Sequence, residues 1–260
     1  MKIGFFDSGI GGLSVLQQAM SMLPKEQFIY YADEKHVPYG EKTQEEIMGY
    51  VEEVIQFMIS REVKAIVIAC NTATSVAVRN LRERYSLPII GMEPAVKKAI
   101  DLYQDQRVLV TATPITVTGE KMKFLIDKVD KQHLVDLLAF PKLVRFAENL
   151  NFDSKEVIDY IRQELNPFPL HEYGSLVLGC THFNYFKDSL RKVLPLNVHF
   201  VDGIQGTVEQ LIRKLQEGNL LEDLEPSVEY YSSGDAITDP IKLANIHQLL
   251  LRLEQMAKIQ

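Results

Sequence analysis

Cysteine is scarce in this chain, with two among 260 residues. Two thiols form at most one disulfide and fall short of a four-cysteine zinc site, which excludes a secreted disulfide scaffold and a zinc ribbon. Basic residues are outnumbered, 28 Lys and Arg against 35 Asp and Glu for a net charge of −7. Nothing global therefore attracts a polyanion, and a nucleic-acid binder resting on a basic surface is excluded. No apolar run approaches the roughly 20 residues that span a bilayer. The stretch after Met1 is too short for the hydrophobic region of a signal peptide. The expectation is a cytoplasmic protein with reduced thiols and with neither nucleic acid nor membrane among its partners. What remains is 46% hydrophobic with ordinary glycine and proline usage, enough for a substantial core in one or two domains.

Short apolar runs alternate with longer amphipathic ones, the mark of a parallel α/β sheet. The runs predict strands over 3–6, 28–32, 65–69, 88–90, 108–111, 134–138, 175–178 and 198–201. Helices are predicted over 13–23, 43–61, 74–85, 94–102, 117–131, 156–165, 186–193, 207–216 and 240–256. In the clearest, Ile47, Val51, Val54, Ile55, Met58 and Ile59 share one face, and Thr43 with Glu46 has capping-box spacing. Two segments echo one another. Lys64 to Thr72 and Gly174 to His182 each run from a buried-type strand through a small residue to a cysteine, then to hydrogen-bonding side chains. They lie about a domain's length apart, which a duplicated α/β unit explains economically.

Both Cys70 and Cys180 fall at the carboxyl end of a strand, before a polar loop and a helix, where open α/β sheets place ligands. A helix start there also lowers a thiol's pKa below its ordinary value of about 8.5. A lone cysteine is usually a small buried hydrophobe, but that leaves two matching positions unexplained. Strand one ends in Asp7-Ser8-Gly9-Ile10-Gly11-Gly12, whose glycines let backbone amides approach an anion. Ser14 replaces the third Rossmann glycine and no Walker lysine is present, so dinucleotide and phosphate ligands are disfavoured. Thr111 to Thr116 is a hydroxyl-rich turn that Thr116 could simply be capping, and Val37-Pro38-Tyr39-Gly40 is a turn by composition. These loops offer hydroxyls, amides and helix starts but no arginine, a pattern suited to a small carboxylate, with Asp7 available for an ammonium group. They also contain no lysine for a pyridoxal aldimine. Asp7 and His182 could each tune a thiol or accept its proton, although a histidine so placed is as often structural. Disulfide exchange, hydrolysis by one nucleophilic thiol and two-base inversion of a carbon centre are the reactions that two such cysteines suit. Redox pairs usually sit close in sequence, and hydrolysis leaves one thiol idle. Two-base inversion uses both and matches the duplicated design best.

Asp7 to Leu13, Pro38-Tyr39-Gly40, Ala69 to Thr74 and Leu178 to Phe183 together resemble the glutamate racemases of the cofactor-independent aspartate/glutamate racemase superfamily, in register from residue 1 to about 200. The resemblance implies an α/β fold of two similar three-layer domains with mostly parallel sheets and an active site between them, residues 1–93 with 206–260 forming one domain and 94–205 the other. It implies interconversion of L- and D-glutamate without cofactor or metal, supplying D-glutamate for peptidoglycan, by a homodimer. On that pattern Cys70 takes the α-proton from D-glutamate and Cys180 from L-glutamate. Asp7 assists Cys70, His182 assists Cys180, and Glu148 is an acid near the site. Ser8, Pro38, Tyr39, Gly40, Asn71, Thr72, Thr113, Thr116 and Thr181, with Asp7 and His182, contact the substrate. The chain departs from the family pattern at Gly119, Arg145 and Asp202-Gly203-Ile204, all outside the cysteine motifs. Two other readings stay open: a racemase of the same superfamily acting on aspartate or another small acid, and a non-catalytic protein that binds an acidic amino acid.

Overall fold

The apolar runs form strands, and those with no polar alternation are buried on both faces. A computed structural model describes residues 1–103 and 105–260, which divide into two units: Met1–Glu93 with Ile204–Leu251, and Pro94–Gly203 with Arg252–Gln260. In the first, β1 (Ile3–Asp7), β2 (Gln27–Ala32), β3 (Ala65–Ile68) and β4 (Ile89–Gly91) are joined by α1 (Leu13–Met22), α2 (Gln44–Ser60) and α3 (Asn71–Arg84). They pair in parallel in the order β2-β1-β3-β4. With right-handed crossovers this order places α1 on one face and α2 and α3 on the other. The predicted capping box forms: Glu46 N–H donates to Thr43 Oγ1, and Thr43 N–H to Glu46 Oε2. Ile47, Val51, Val54, Ile55 and Met58 are all buried, as the periodicity of α2 requires.

The second unit contains α4 (Val96–Leu102), β5 (Arg107–Ala112), α5 (Pro114–Thr118), α6 (Glu120–Val129), β6 (Val135–Ala139), α7 (Pro141–Glu148), α8 (Lys155–Leu165), β7 (Tyr173–Leu178), α9 (Lys187–Arg191) and β8 (His199–Val201). Its sheet is again wholly parallel, in the order β6-β5-β7-β8. Replacing each strand by its rank in chain order turns both arrangements into 2-1-3-4, so the echo between the cysteine segments extends to topology. The core of this unit packs Val96 and Ala99 of α4 and Met122 of α6 against Val108, Val110, Val177 and Val201 of the sheet.

The chain completes the first unit with α10 (Ile204–Glu217), β9 (Ser227–Ser232), β10 (Asp235–Ala236) and α11 (Pro240–Met256) as far as Leu251. β9 adds in parallel to β2 and β10 pairs antiparallel to β9, giving a six-stranded sheet. Neither strand is among those the apolar runs predict. Ser-Val-Glu-Tyr-Tyr-Ser lacks such a run, because β9 lies near the edge of the sheet and is only partly buried. The hairpin signal is the Ser233-Gly234 pair: both residues have positive φ, 45° and 93°, as a two-residue hairpin turn demands. The helix expected over 117–131 is two helices, because Gly119 is extended (φ −66°, ψ 146°) and both ends α5 and begins α6. The helix expected over 186–193 is a 3₁₀ segment, Thr181–Phe186, leading into α9. α7 is an unexpected helix; Pro141 reads as a breaker but occupies the first turn, where its missing N–H is harmless. No described helix is long and apolar enough to cross a membrane.

At the amino ends of its strands, the first unit is tied by a buried ion pair. Lys64 Nζ lies 2.6 Å from Glu26 Oε2, both side chains at most 2% exposed, and 2.9 Å from Glu222 Oε2. Glu222 N–H donates to Glu26 Oε1 at 2.9 Å, and the amino terminus meets Glu222 at 2.7 Å. The loop before β9 is thereby fastened to the starts of β1, β2 and β3. Lys64→Met, which strands the Glu26 carboxylate, should lower the unfolding free energy by about 3–5 kcal/mol. Adding Glu26→Gln should recover part of the loss, because the amide still accepts from Glu222. Urea unfolding followed by far-ultraviolet circular dichroism measures both, the chain having no tryptophan.

Candidate active site

In a sheet ordered 2-1-3-4, the connections after the first and third strands run in opposite directions, which opens room beyond the carboxyl ends of those two strands. In the first unit these ends carry Asp7 to Gly12 and Cys70 to Thr72. Asp7 is fully buried, and its Oδ1 accepts from the Gly9 N–H at 3.0 Å. Gly12 has no room for a side chain: a Cβ there would lie 2.5 Å from Asp7 Cβ and 3.1 Å from Ala69 Cβ. Cys70 is 5% exposed and is the N-cap of α3, its Sγ accepting from the Ala73 N–H at 3.4 Å and lying 3.7 Å from Ser8 Oγ. The helix thus begins three residues earlier than periodicity suggests, with the thiol itself as its cap. An amide donor and the positive end of a 14-residue helix both favour the thiolate. Asn71 Nδ2 donates to the Met92 carbonyl at 3.3 Å, while its Oδ1 is buried without a hydrogen-bond partner. Thr72 is buried beside it.

Tyr39 opens a 3₁₀ turn between the partly buried Pro38 and Gly40. Its hydroxyl donates to Asp33 Oδ2 at 2.6 Å. Burial above all, then the charge and hydrogen bond of Asp33 and the charges of Cys70 and Asp7, push the phenol's pKa far above its ordinary value, so it remains a donor. Asp33 is a residue that the motifs do not reveal. It is 3% exposed and also meets His36 Nδ1 at 2.9 Å and the Ser233 hydroxyl at 3.2 Å. A signal for it exists: like Asp7, it is a carboxylate at the end of a strand.

In the second unit the corresponding ends carry Thr113 to Thr116 and Cys180 to His182. Thr113 is the extended residue before α5, and its Oγ1 lies 3.0 Å from that of Thr116. The capping role open to Thr116 is therefore not its position; Thr116 lies inside the helix, and Thr113 precedes it. Cys180 is 6% exposed, with Sγ 3.8 Å from His182 Nδ1. His182 Nε2 lies 2.6 Å from Glu148 Oε1 at the end of α7, and Thr181 is buried alongside. Cys180 leads into a 3₁₀ segment rather than the expected α-helix, so few aligned peptides face this thiol. The nearby charge comes from histidine instead. Burial opposes the His182 imidazolium, yet the hydrogen bonds and charges of Cys180 and Glu148 outweigh it and hold its pKa well above 6.5. Among the described residues, no group of three or more His, Cys, Asp or Glu side chains could hold a metal ion.

Sheet register aligns the two sets. Phe6 pairs with Ile68 in the first unit and Thr111 with Leu178 in the second. The Ala69 N–H donates to the Phe6 carbonyl at 2.8 Å, and the Gly179 N–H to the Thr111 carbonyl at 2.7 Å. Counting from these pairs, Ser8 corresponds to Thr113, Cys70 to Cys180, Asn71 to Thr181 and Thr72 to His182. Asp7 corresponds to Ala112, and this position and the Thr72–His182 pair are where the charge pattern differs.

A family model described as Asp/Glu/Hydantoin racemase matches residues 13–211. A glutamate racemase of Campylobacter curvus is 54% identical, with all of both chains covered. The chain belongs to the Asp/Glu/hydantoin racemase family. Solved structures agree with that membership. Glutamate racemase isoform RacE1 of Bacillus anthracis superposes with a TM-score of 0.81 at 30% identity, over 89% of this chain and 88% of that one. The Francisella tularensis glutamate racemase in complex with D-glutamate gives 0.80 at 30% identity, over 96% and 93%. Of the residues expected from the family resemblance, the structure groups Asp7, Ser8, Pro38, Tyr39, Gly40, Cys70, Asn71 and Thr72 within the first unit. Thr113, Thr116, Glu148, Cys180, Thr181 and His182 lie within the second.

The raised pKa of His182 has a direction that can be tested in this racemase-family protein. Folding is favoured fully at pH below about 6.5, where the unfolded ring is also protonated, and the benefit fades as pH rises through the folded-state value. Glu148→Gln should lower that value. In ¹⁵N-histidine spectra, the wild-type His182 ring should stay protonated on both nitrogens to higher pH than the ring of the variant.

Proposed function

We infer that this protein interconverts L- and D-glutamate, with Cys70 and Cys180 as the two bases. The observation that carries the reading is the pair of buried thiols at equivalent strand ends in two sheets of the same order, within a chain 54% identical to a glutamate racemase. The α-proton of an amino acid is a very weak acid. Abstraction needs a base whose charged form is stabilised and donors that meet the charge growing on the α-carboxylate.

In one direction the Cys70 thiolate removes the α-proton of D-glutamate. The electron pair passes into the α-carboxylate to give an enolate-like state, and the Cys180 thiol delivers a proton to the opposite face. The product is L-glutamate, leaving Cys70 as thiol and Cys180 as thiolate, the protonation state from which the reverse reaction starts. Asp7 assists Cys70. His182, held by Glu148, assists Cys180. Ser8, Asn71, Thr72, Tyr39 with its neighbours Pro38 and Gly40, and Thr113, Thr116 and Thr181 supply neutral donors and acceptors for the carboxylates and ammonium group. The same reading places the protein in the cytoplasm as a homodimer that supplies D-glutamate for peptidoglycan.

Incubation of pure D- or L-glutamate with the protein, in buffer without added cofactor, should erase the circular dichroism of the amino acid. Persistence of the signal sinks the assignment, and loss of optical activity from aspartate at a comparable rate would shift the substrate. Enantiomers have equal free energies, so kcat/KM must fall equally in both directions for any variant. Cys70→Ser and Cys180→Ser should each lower it by roughly 10²–10⁴-fold, the usual contribution of a positioned acid or base. A variant that retains wild-type turnover excludes the two-base scheme.

A further inference from the structure

We propose that the Tyr30 hydroxyl is a positioning group for the Asp7 and Cys70 half of the reaction, acting through Gly9 on the Asp7 carboxylate. The proposal rests on the reading that Asp7 assists Cys70. Tyr30 lies on β2, is 3% exposed, and donates from Oη to the Gly9 carbonyl at 2.6 Å. Gly9 in turn donates its N–H to Asp7 Oδ1 at 3.0 Å. These two hydrogen bonds sit on either side of a single glycine Cα, the most permissive backbone position in a chain. Pinning the carbonyl is therefore what fixes the direction of the amide, and the amide fixes the carboxylate.

The packing around Gly12 supports the same path. A Cβ built there would stand 3.0 Å from Tyr30 Oη, 2.5 Å from Asp7 Cβ and 3.1 Å from Ala69 Cβ. The phenol oxygen, the Asp7 side chain and the residue preceding Cys70 thus crowd one small volume beneath the loop. The ring of Tyr30 is held independently, edge-on to Tyr230 with centroids 6.3 Å apart. Phenylalanine would fill the ring's space equally well, so what the hydroxyl adds is the loop contact.

Tyr30→Phe keeps that packing and removes the hydroxyl. Loss of one orienting hydrogen bond should lower kcat/KM by roughly 5–20-fold in both directions. The diagnostic readout is the substrate isotope effect. If proton transfer at Cys70 is the step made slower, the effect on kcat/KM with α-deuterated D-glutamate should rise above the wild-type value, while that with α-deuterated L-glutamate should fall. Isotope ratios do not depend on how much of the variant is folded, so they remain decisive if its yield drops. A double-mutant cycle gives the second test: in an Asp7→Asn background, Tyr30→Phe should have little further effect.

Unchanged isotope effects, a shift of the opposite sense, or additive losses in the cycle overturn the proposal, as does a folded Tyr30→Phe protein within twofold of wild type. Two further results bear on the underlying reading instead. A wild type that leaves D-glutamate optically active, or an Asp7→Asn variant with full activity, removes the role of Asp7 and the proposal with it.

Discussion

In the proposed reaction a thiol is a carbon base, which requires that its charged form be held by donors, and a parallel sheet supplies such donors at few places. Both thiols here are almost fully buried, so neither can rely on water for that support. The strand order 2-1-3-4 meets the requirement by geometry. At the reversal between its first and third strands two loops emerge side by side, each running from buried strand into a helix or turn whose first N–H groups are unpaired by the ladder. Small residues keep those loops close. Gly12 admits Asp7 and Ala69 on either side, and Gly179 lies where a Cβ would be 2.6 Å from the Thr111 carbonyl. In the same loops Ser8 approaches Cys70 and His182 approaches Cys180.

Register makes the two halves comparable residue by residue, and the comparison separates what the duplication keeps from what it changes. The thiols and the hydroxyls before them match. The charge beside each thiol does not: the first unit has a carboxylate on its first strand, where the second has Ala112. The second unit instead has His182 where the first has Thr72, backed by Glu148 from α7. The difference tracks the local backbone. Cys70 caps a 14-residue α-helix and accepts an amide hydrogen bond, whereas Cys180 precedes a short 3₁₀ segment with a weaker dipole. An imidazolium thus stands beside one thiol and the start of a helix beside the other.

Most of this is legible in the chain because fully buried strands and amphipathic helices leave strong patterns, and because polar groups at strand ends stand out against apolar runs. Eight strands and both cysteine loops are readable for that reason. β9 and β10 are not, since an edge strand is half-solvated and its aromatic and polar alternation is faint. α7 is hidden behind Pro141, and with it the reason Glu148 reaches His182: an acid some thirty residues away becomes a neighbour only when that helix lies against the Thr181–Phe186 segment. Asp33 escapes notice for the opposite reason. Its sequence position is plain, but its importance lies in three side-chain partners, one of which, Ser233, comes from the unforeseen hairpin.

The lack of arginine in these loops is informative once the proposed reaction is considered. The protein carries net charge −7, and its general field does not draw in an anionic amino acid. That field is screened beyond about 8 Å at physiological salt, so capture depends on donors in contact with the ligand. An arginine fork is a strong carboxylate donor, but it is planar and fixes one orientation. A racemase must hold two substrates that differ in the direction of a hydrogen, and its α-carbon has to pass from one face to the other. Serine and threonine hydroxyls rotate about the Cβ–Oγ bond and can follow a carboxylate through that movement without a shift of backbone. On the proposed reading, Ser8 and Thr72 in the first unit and Thr113, Thr116 and Thr181 in the second are donors of this kind. Modest neutral donors also bind the ground state less tightly than a salt bridge does, and hydrogen bonds of this type strengthen as negative charge builds on the carboxylate. Weak, rotatable and numerous contacts are therefore better suited to inverting a carbon centre than one strong contact.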